Sequence, residues 1–287
     1  MKASHLTAAS QLKYPQFWLL AIGAAYIAIH LTLTWKADNS SLLGMSFLFW
    51  AAISSLIWDK RHSLNLESDI FSSFFGLSLI ALLLVKTISL TSLGGFLYIS
   101  PAIFAFGLAL MASGFKGLKQ YGGELLVLFF ITVPKLLPTS LTDISPLTAK
   151  FAGFALWYTG FPVTRNGILI SLPTGSVEVY SGCSGIELIF QMLGLALLFL
   201  LMFPQNGKKK ILVPIIAVSL GFIVNGARVA LMAILVAQRQ MAAFDYWHEG
   251  DGSLLFSLIA VLLFGLLCWF LLGKAELRNK DATESSK

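Results

Sequence analysis

Apolar residues run through this chain in long blocks, broken by short polar or charged punctuation. A membrane span needs about 20 apolar residues in succession. The blocks predict eight spans, at about 17–35, 42–58, 70–90, 96–113, 124–137, 185–203, 211–237 and 253–272. Trp18 and Trp35 stand near the two ends of the first, as interfacial aromatics do. Lys86 is close enough to the end of the third to reach water. The fifth is short and carries Pro134.

Three stretches break this pattern. Residues 139–160 hold Asp143, Pro146 and Lys150, with Phe151, Phe154, Ala155 and Tyr158 at helical spacing. They predict an amphipathic helix lying at the membrane interface. From about Phe161 to Tyr180, apolar and polar positions alternate. Asn166-Gly167 is a hairpin-turn dipeptide, and Pro173, Thr174 and Gly175 supply a second turn. This is the pattern of a small β-meander, whose open edges belong in water or against protein. Residues 238–252 read as a polar loop, and 274–287 as a polar, disordered cytoplasmic tail. The expected fold is an all-α polytopic membrane protein of about eight transmembrane helices. It carries an extracytoplasmic helix and meander at 139–182, within a single domain over 1–287.

Composition agrees with a bilayer and little else. The 287 residues are 57% hydrophobic and only 12% charged, where soluble chains are about 25% charged. The net charge of +6 need not imply nucleic acid, since positive residues mark cytoplasmic loops. With both termini inside, thirteen of the twenty Lys and Arg fall on the inner side. Four (Lys36, Lys150, Arg165 and Arg239) fall outside, and Lys86, Lys135 and Arg228 lie within spans. Making 139–160 a ninth span would weaken this asymmetry. The N-terminal block lacks a small-residue cleavage site and reads as a retained span.

This orientation brings three chemically distinctive residues to the outer face. Cys183, in the stretch Tyr180 to Glu187, sits among Gly182, Ser184 and Gly185 where a polar loop meets the sixth span. Free amides at a helix start would favour its thiolate or hold an oxyanion; the alternative is a buried, inert cysteine. Arg228, in the seventh span, is costly in lipid and therefore a functional candidate. Asn225 shares its helical face, and the alternative for Arg228 is an ion pair with Glu187. His248 lies in the loop before the last span, where the alternative is a solvated histidine; Glu249 or Asp251 would orient it. Cysteine and histidine make a nucleophile–base pair, and arginine adds a fixed cation for an oxyanion. Cys268 is too deep in the last span to bridge to Cys183. No metal-ligand spacing and no Gly-x-Ser-x-Gly elbow occurs, and no cofactor is expected.

The Cys-Ser-Gly-Ile of Cys183 to Ile186, the Asn-x-x-Arg of Asn225 to Arg228 and the later His248 together resemble the exosortase/archaeosortase family of membrane transpeptidases. The alternating region from Arg165 to Val179 and the cysteine–arginine–histidine order share the resemblance, which covers about Pro138 to Leu272. The short chain is most similar to the cyanobacterial exosortases. The resemblance implies Cys183 as nucleophile, His248 as acid/base and Arg228 as oxyanion stabiliser, with Asn225, Ser184, Gly185 and Glu187 in support. It implies substrates that are exported proteins with a C-terminal sorting signal of the PEP-CTERM type: a short motif, a span and a basic tail. It further implies transfer to an amine or other acceptor at the plasma membrane. A competing reading is a multi-pass transporter or channel that uses Arg228, Lys86 and Lys135 along its path. A third is a non-enzymatic assembly factor.

Overall fold

The computed structural model describes residues 15–89, 94–138, 143–205, 207–248 and 252–284. The chain gathers into two compact units, Met1–Lys135 and Leu136–Lys287. Seven helical stretches among the described residues are long and apolar enough to cross a membrane. The chain is a multi-pass membrane protein.

The first unit is built from α1 (Pro15–Lys36), α2 (Ser40–Asp59), α3 (Ile70–Ser89), α4 (Gly94–Gly117) and α5 (Gly122–Leu136), with a 3-10 turn at Leu118–Tyr121. Asn39 caps α2, its Oδ1 accepting from Leu42 N at 2.9 Å. The fourth and fifth expected spans fall in one apolar run, Gly94–Leu136, of 43 residues. As one straight helix it would be about 65 Å long, roughly twice a hydrocarbon core. It is broken at Gly114, whose φ of 63° and ψ of −178° leave the helix. Beside that break, Asp69 caps α3: Ser72 N and Ser72 Oγ donate to its carboxylate at 3.0 and 2.5 Å. These bonds hold the Asp69 carboxyl below its ordinary range. Inside the unit His30 is buried, with Nε2 3.0 Å from Leu97 O and Nδ1 accepting from Trp50 Nε1 at 3.3 Å. It has a structural place in a span.

The second unit holds α6 (Ser145–Tyr158), β1 (Thr164–Asn166), β2 (Leu169–Leu172), β3 (Gly175–Glu178), a 3-10 turn at Ser181–Cys183, α7 (Ile186–Met202), α8 (Lys209–Ala237), α9 (Met241–His248) and α10 (Gly252–Glu284). The strands form the expected meander, an antiparallel sheet in the order β1-β2-β3; Asn166 pairs with Leu169, so the first turn is made by Gly167 and Ile168, one residue beyond the expected Asn166-Gly167 pair. Its inner face packs Ile170, Leu172 and Val179 against Ala149, Ala152 and Leu156 of α6 and Val229, Ala230 and Ala233 of α8.

One element differs from expectation, and another acquires a buried side that the sequence left open. In α6 the buried stripe is Ser145, Thr148, Ala149, Ala152, Gly153 and Leu156, while Phe154 and Tyr158 are exposed. The small residues face inward because only they let α6 lie close against its neighbours; the aromatics take the outer face. Residues 139–142 of that expected helix lie outside the described residues. The supposed loop 238–252 contains α9, because Met241, Phe244 and His248 recur at helical spacing.

Candidate active site

Cys183 closes a single 3-10 turn, and α7 begins three residues later at Ile186. Cys183 N donates to Tyr180 O at 2.9 Å and Ser184 N to Ser181 O at 3.2 Å. The two amides nearest the sulfur are therefore committed to the turn. This corrects the expectation of free helix-start N–H groups at the cysteine. Between turn and helix stands Gly185, at φ 89° and ψ 4°. This left-handed conformation favours glycine. A Cβ there would also lie 2.5 Å from Asn225 Nδ2, so the position is closed to side chains twice over.

Asn225 occupies the space that glycine leaves. It is buried, at 3% exposure, and Nδ2 donates to Cys183 O at 3.0 Å. On the other flank, Thr148 Oγ1 donates to Ser184 O at 2.6 Å, and Ser184 Oγ to Ser181 O at 2.7 Å. Thr148 and Ser184 are both fully buried. Side chains from α6 and α8 thus pin the carbonyls of residues 183 and 184, and the sulfur is held on a rigid turn.

His248, the last residue of α9, reaches this turn. Its Nε2 lies 3.1 Å from Cys183 Sγ. At that distance a neutral imidazole accepts from the thiol, or an imidazolium donates to the thiolate; the two forms are the ends of one proton transfer. Phe244, one helical turn earlier, stacks on the imidazole with centroids 4.9 Å apart and planes at 19°. The Tyr180 ring meets it edge-on at 6.3 Å. Arg228 Nη2 donates to the His248 carbonyl at 2.5 Å, placing a cation at the C-terminus of α9, where the helix dipole favours it. Arg228 Nε is buried and has no hydrogen-bond partner among the described residues.

Cys183, Arg228 and His248 line one cavity of about 290 Å³ with Tyr180, Met232 and Phe244. Three groups far apart in sequence are brought together. Glu187 sits in the first turn of α7, half-buried. Glu249 and Asp251, considered as partners of His248, lie outside the described residues. Both cysteines are free thiols. Lys86 and Lys135 belong to the first unit, where Lys135 Nζ stands 4.9 Å over the Tyr98 ring.

Sequence reasoning missed Thr148, Tyr180 and Phe244 as site residues. Only Phe244 left a signal, the i, i+4 spacing to His248 that a helix over 241–248 would have exposed.

A family model for transmembrane exosortases (Exosortase_EpsH) matches residues 34–265. The chain belongs to the transmembrane exosortase family. This is a family of membrane-embedded transpeptidases acting on exported proteins. The match extends through most of the first unit, well beyond the part from Pro138 onward that carries the motif resemblance. No curated protein and no solved structure matches the chain. Within an exosortase, a thiol and an imidazole in contact in the lining of one cavity are suited to acyl transfer.

Proposed function

We propose that the protein is a membrane cysteine transpeptidase. In this reading it cleaves the C-terminal sorting signal, of PEP-CTERM type, from exported proteins and passes them to an acceptor. The observation that carries it is the 3.1 Å approach of Cys183 Sγ to His248 Nε2, inside a family of transpeptidases. The Cys183 proton passes to His248 Nε2, and the sulfur adds to the scissile carbonyl. The Arg228 guanidinium, with Nε uncommitted, balances the oxyanion. Collapse breaks the C–N bond; His248 returns the proton to the leaving amine, and a thioester remains on Cys183. An acceptor amine then adds to the thioester carbonyl, loses its proton to His248, and the thiol is regenerated.

The same reading takes eight spans, with the run 94–136 crossing twice, both termini cytoplasmic and the cavity on the outer face of the plasma membrane. The inside excess of Lys and Arg supports that orientation. The subgroup it fits is the cyanobacterial branch. The transporter reading draws less support, because Arg228 lies in the same cavity as the thiol.

The test is a tagged exported protein with a sorting signal, co-expressed with Cys183→Ala. The signal is expected to remain attached while the variant reaches wild-type levels in the membrane; normal processing would sink the proposal. Cys183→Ser is expected to retain substrate without turnover.

A further inference from the structure

β3 is an edge strand, paired on one side only, with β2. Its register assigns each backbone group a direction. Val179 N donates to Ile168 O at 3.0 Å, so residues 175, 177 and 179 point their N–H and C=O groups toward β2. In an antiparallel ladder the intervening residues point theirs the other way. Those are Ser176 and Glu178. No other element takes up their main-chain groups among the described residues.

This open edge faces the catalytic cavity. Ser176 through Tyr180 form one wall, and the strand leads through Tyr180 directly into the turn that carries Cys183. The opposite wall is apolar: Val229, Met232 and Val236 from α8, Met241 and Phe244 from α9. Thr174 Oγ1 donates to Ala237 O at 2.6 Å, and Gly175 lies against Val236, so strand and helix are tied at the far end. The result is a slot with hydrogen-bonding main chain on one side, apolar side chains on the other and the thiol at one end. Four residue steps along β3 and into Tyr180 span about 13 Å, room for a short extended peptide.

We propose that the substrate polypeptide adds to β3 as a fourth strand, bonded to the main chain of Ser176 and Glu178. Alternate substrate side chains then face the apolar wall, and the scissile carbonyl is delivered to Cys183. Strand addition of this kind draws affinity from main-chain bonds and specificity from alternate side chains. The proposal rests on the transpeptidase reading and names how that site takes its substrate.

The full-length protein in membranes is assayed with a synthetic peptide spanning the bond that is cut in the tagged exported protein. Each backbone nitrogen of the peptide is methylated in turn. Methylation at every second position is expected to lower kcat/KM about tenfold, the loss of an edge hydrogen bond, with intervening positions changing less than threefold. A scan without that alternation overturns the proposal. Glu178→Pro removes an edge N–H and leaves the β2 ladder intact. It is expected to raise KM about tenfold while iodoacetamide labels Cys183 at the wild-type rate. A wild-type KM in this variant, with labelling unchanged, also overturns it; if labelling changes, the peptide scan alone decides. Failure of the transpeptidase reading shows differently, as processing by Cys183→Ala. A flat scan with Cys183 still required removes strand addition alone.

Discussion

Asn225 holds the carbonyl of Cys183, not its sulfur. Its contribution is therefore to where the thiol sits. Asn225→Leu removes the donor while filling similar space. An ordinary buried hydrogen bond is worth about 1 kcal/mol net, so turnover of the exported protein is expected to fall about fivefold. Gly185→Ala combines a left-handed φ with a clash on Asn225, and it is expected to cost more than the Asn225 variant. Rates of processing at equal membrane levels check both. At this scale the distinctive residue types were legible. An arginine in an apolar run is conspicuous because burying it is costly, and Cys183 is one of only two cysteines. Thr148 and Tyr180 were not legible. Their roles come from packing against a turn that no local pattern announces.

α9 exists because α8 stops where it does. α8 ends at Ala237, and the chain reverses through Arg239 at φ 58°. Arg239 N donates to Val236 O at 3.0 Å and Gln240 N to Leu235 O at 2.9 Å, the bond pair of a Schellman motif. Glycine usually fills that left-handed position, and a side chain there costs roughly 1 kcal/mol or more. Arg239→Gly is expected to raise the melting temperature of the detergent-solubilised protein slightly, and Arg239→Val to lower it, since β-branching worsens the left-handed conformation. Because the reversal launches α9, Arg239→Val is also expected to loosen His248 and slow processing. The polar composition of 238–252 concealed this element, although the 241, 244, 248 spacing was present. In α6 the helix was legible, but its buried side was not. Which stripe is buried depends on how closely a neighbour approaches, and small residues win that contest over aromatic ones.

For the whole molecule, orientation is the property with the largest consequence. In a background of Cys183→Ala and Cys268→Ala, Asn166→Cys tests the sheet and Lys208→Cys the connection before α8; both positions are exposed. A membrane-impermeant maleimide is expected to label Asn166→Cys in intact cells, and Lys208→Cys only after permeabilisation. The reverse pattern would overturn the orientation and the outward-facing site with it.

The sequence by itself determined the membrane class, the apolar blocks from 17 to 272, the first hairpin turn to within one residue and the candidate reactive residues. These are local matters: hydropathy sums along a segment, and turn chemistry belongs to two or three residues. The tertiary structure alone decided that Cys183 and His248, 65 residues apart, come within 3.1 Å. It likewise decided that the start of α7 leaves the thiol on a pinned 3-10 turn, and that the open edge of β3 runs to it. Distances of this kind follow from how α6, α8 and α9 pack around the turn that carries Cys183, and packing is a property of the assembled elements that no segment carries alone.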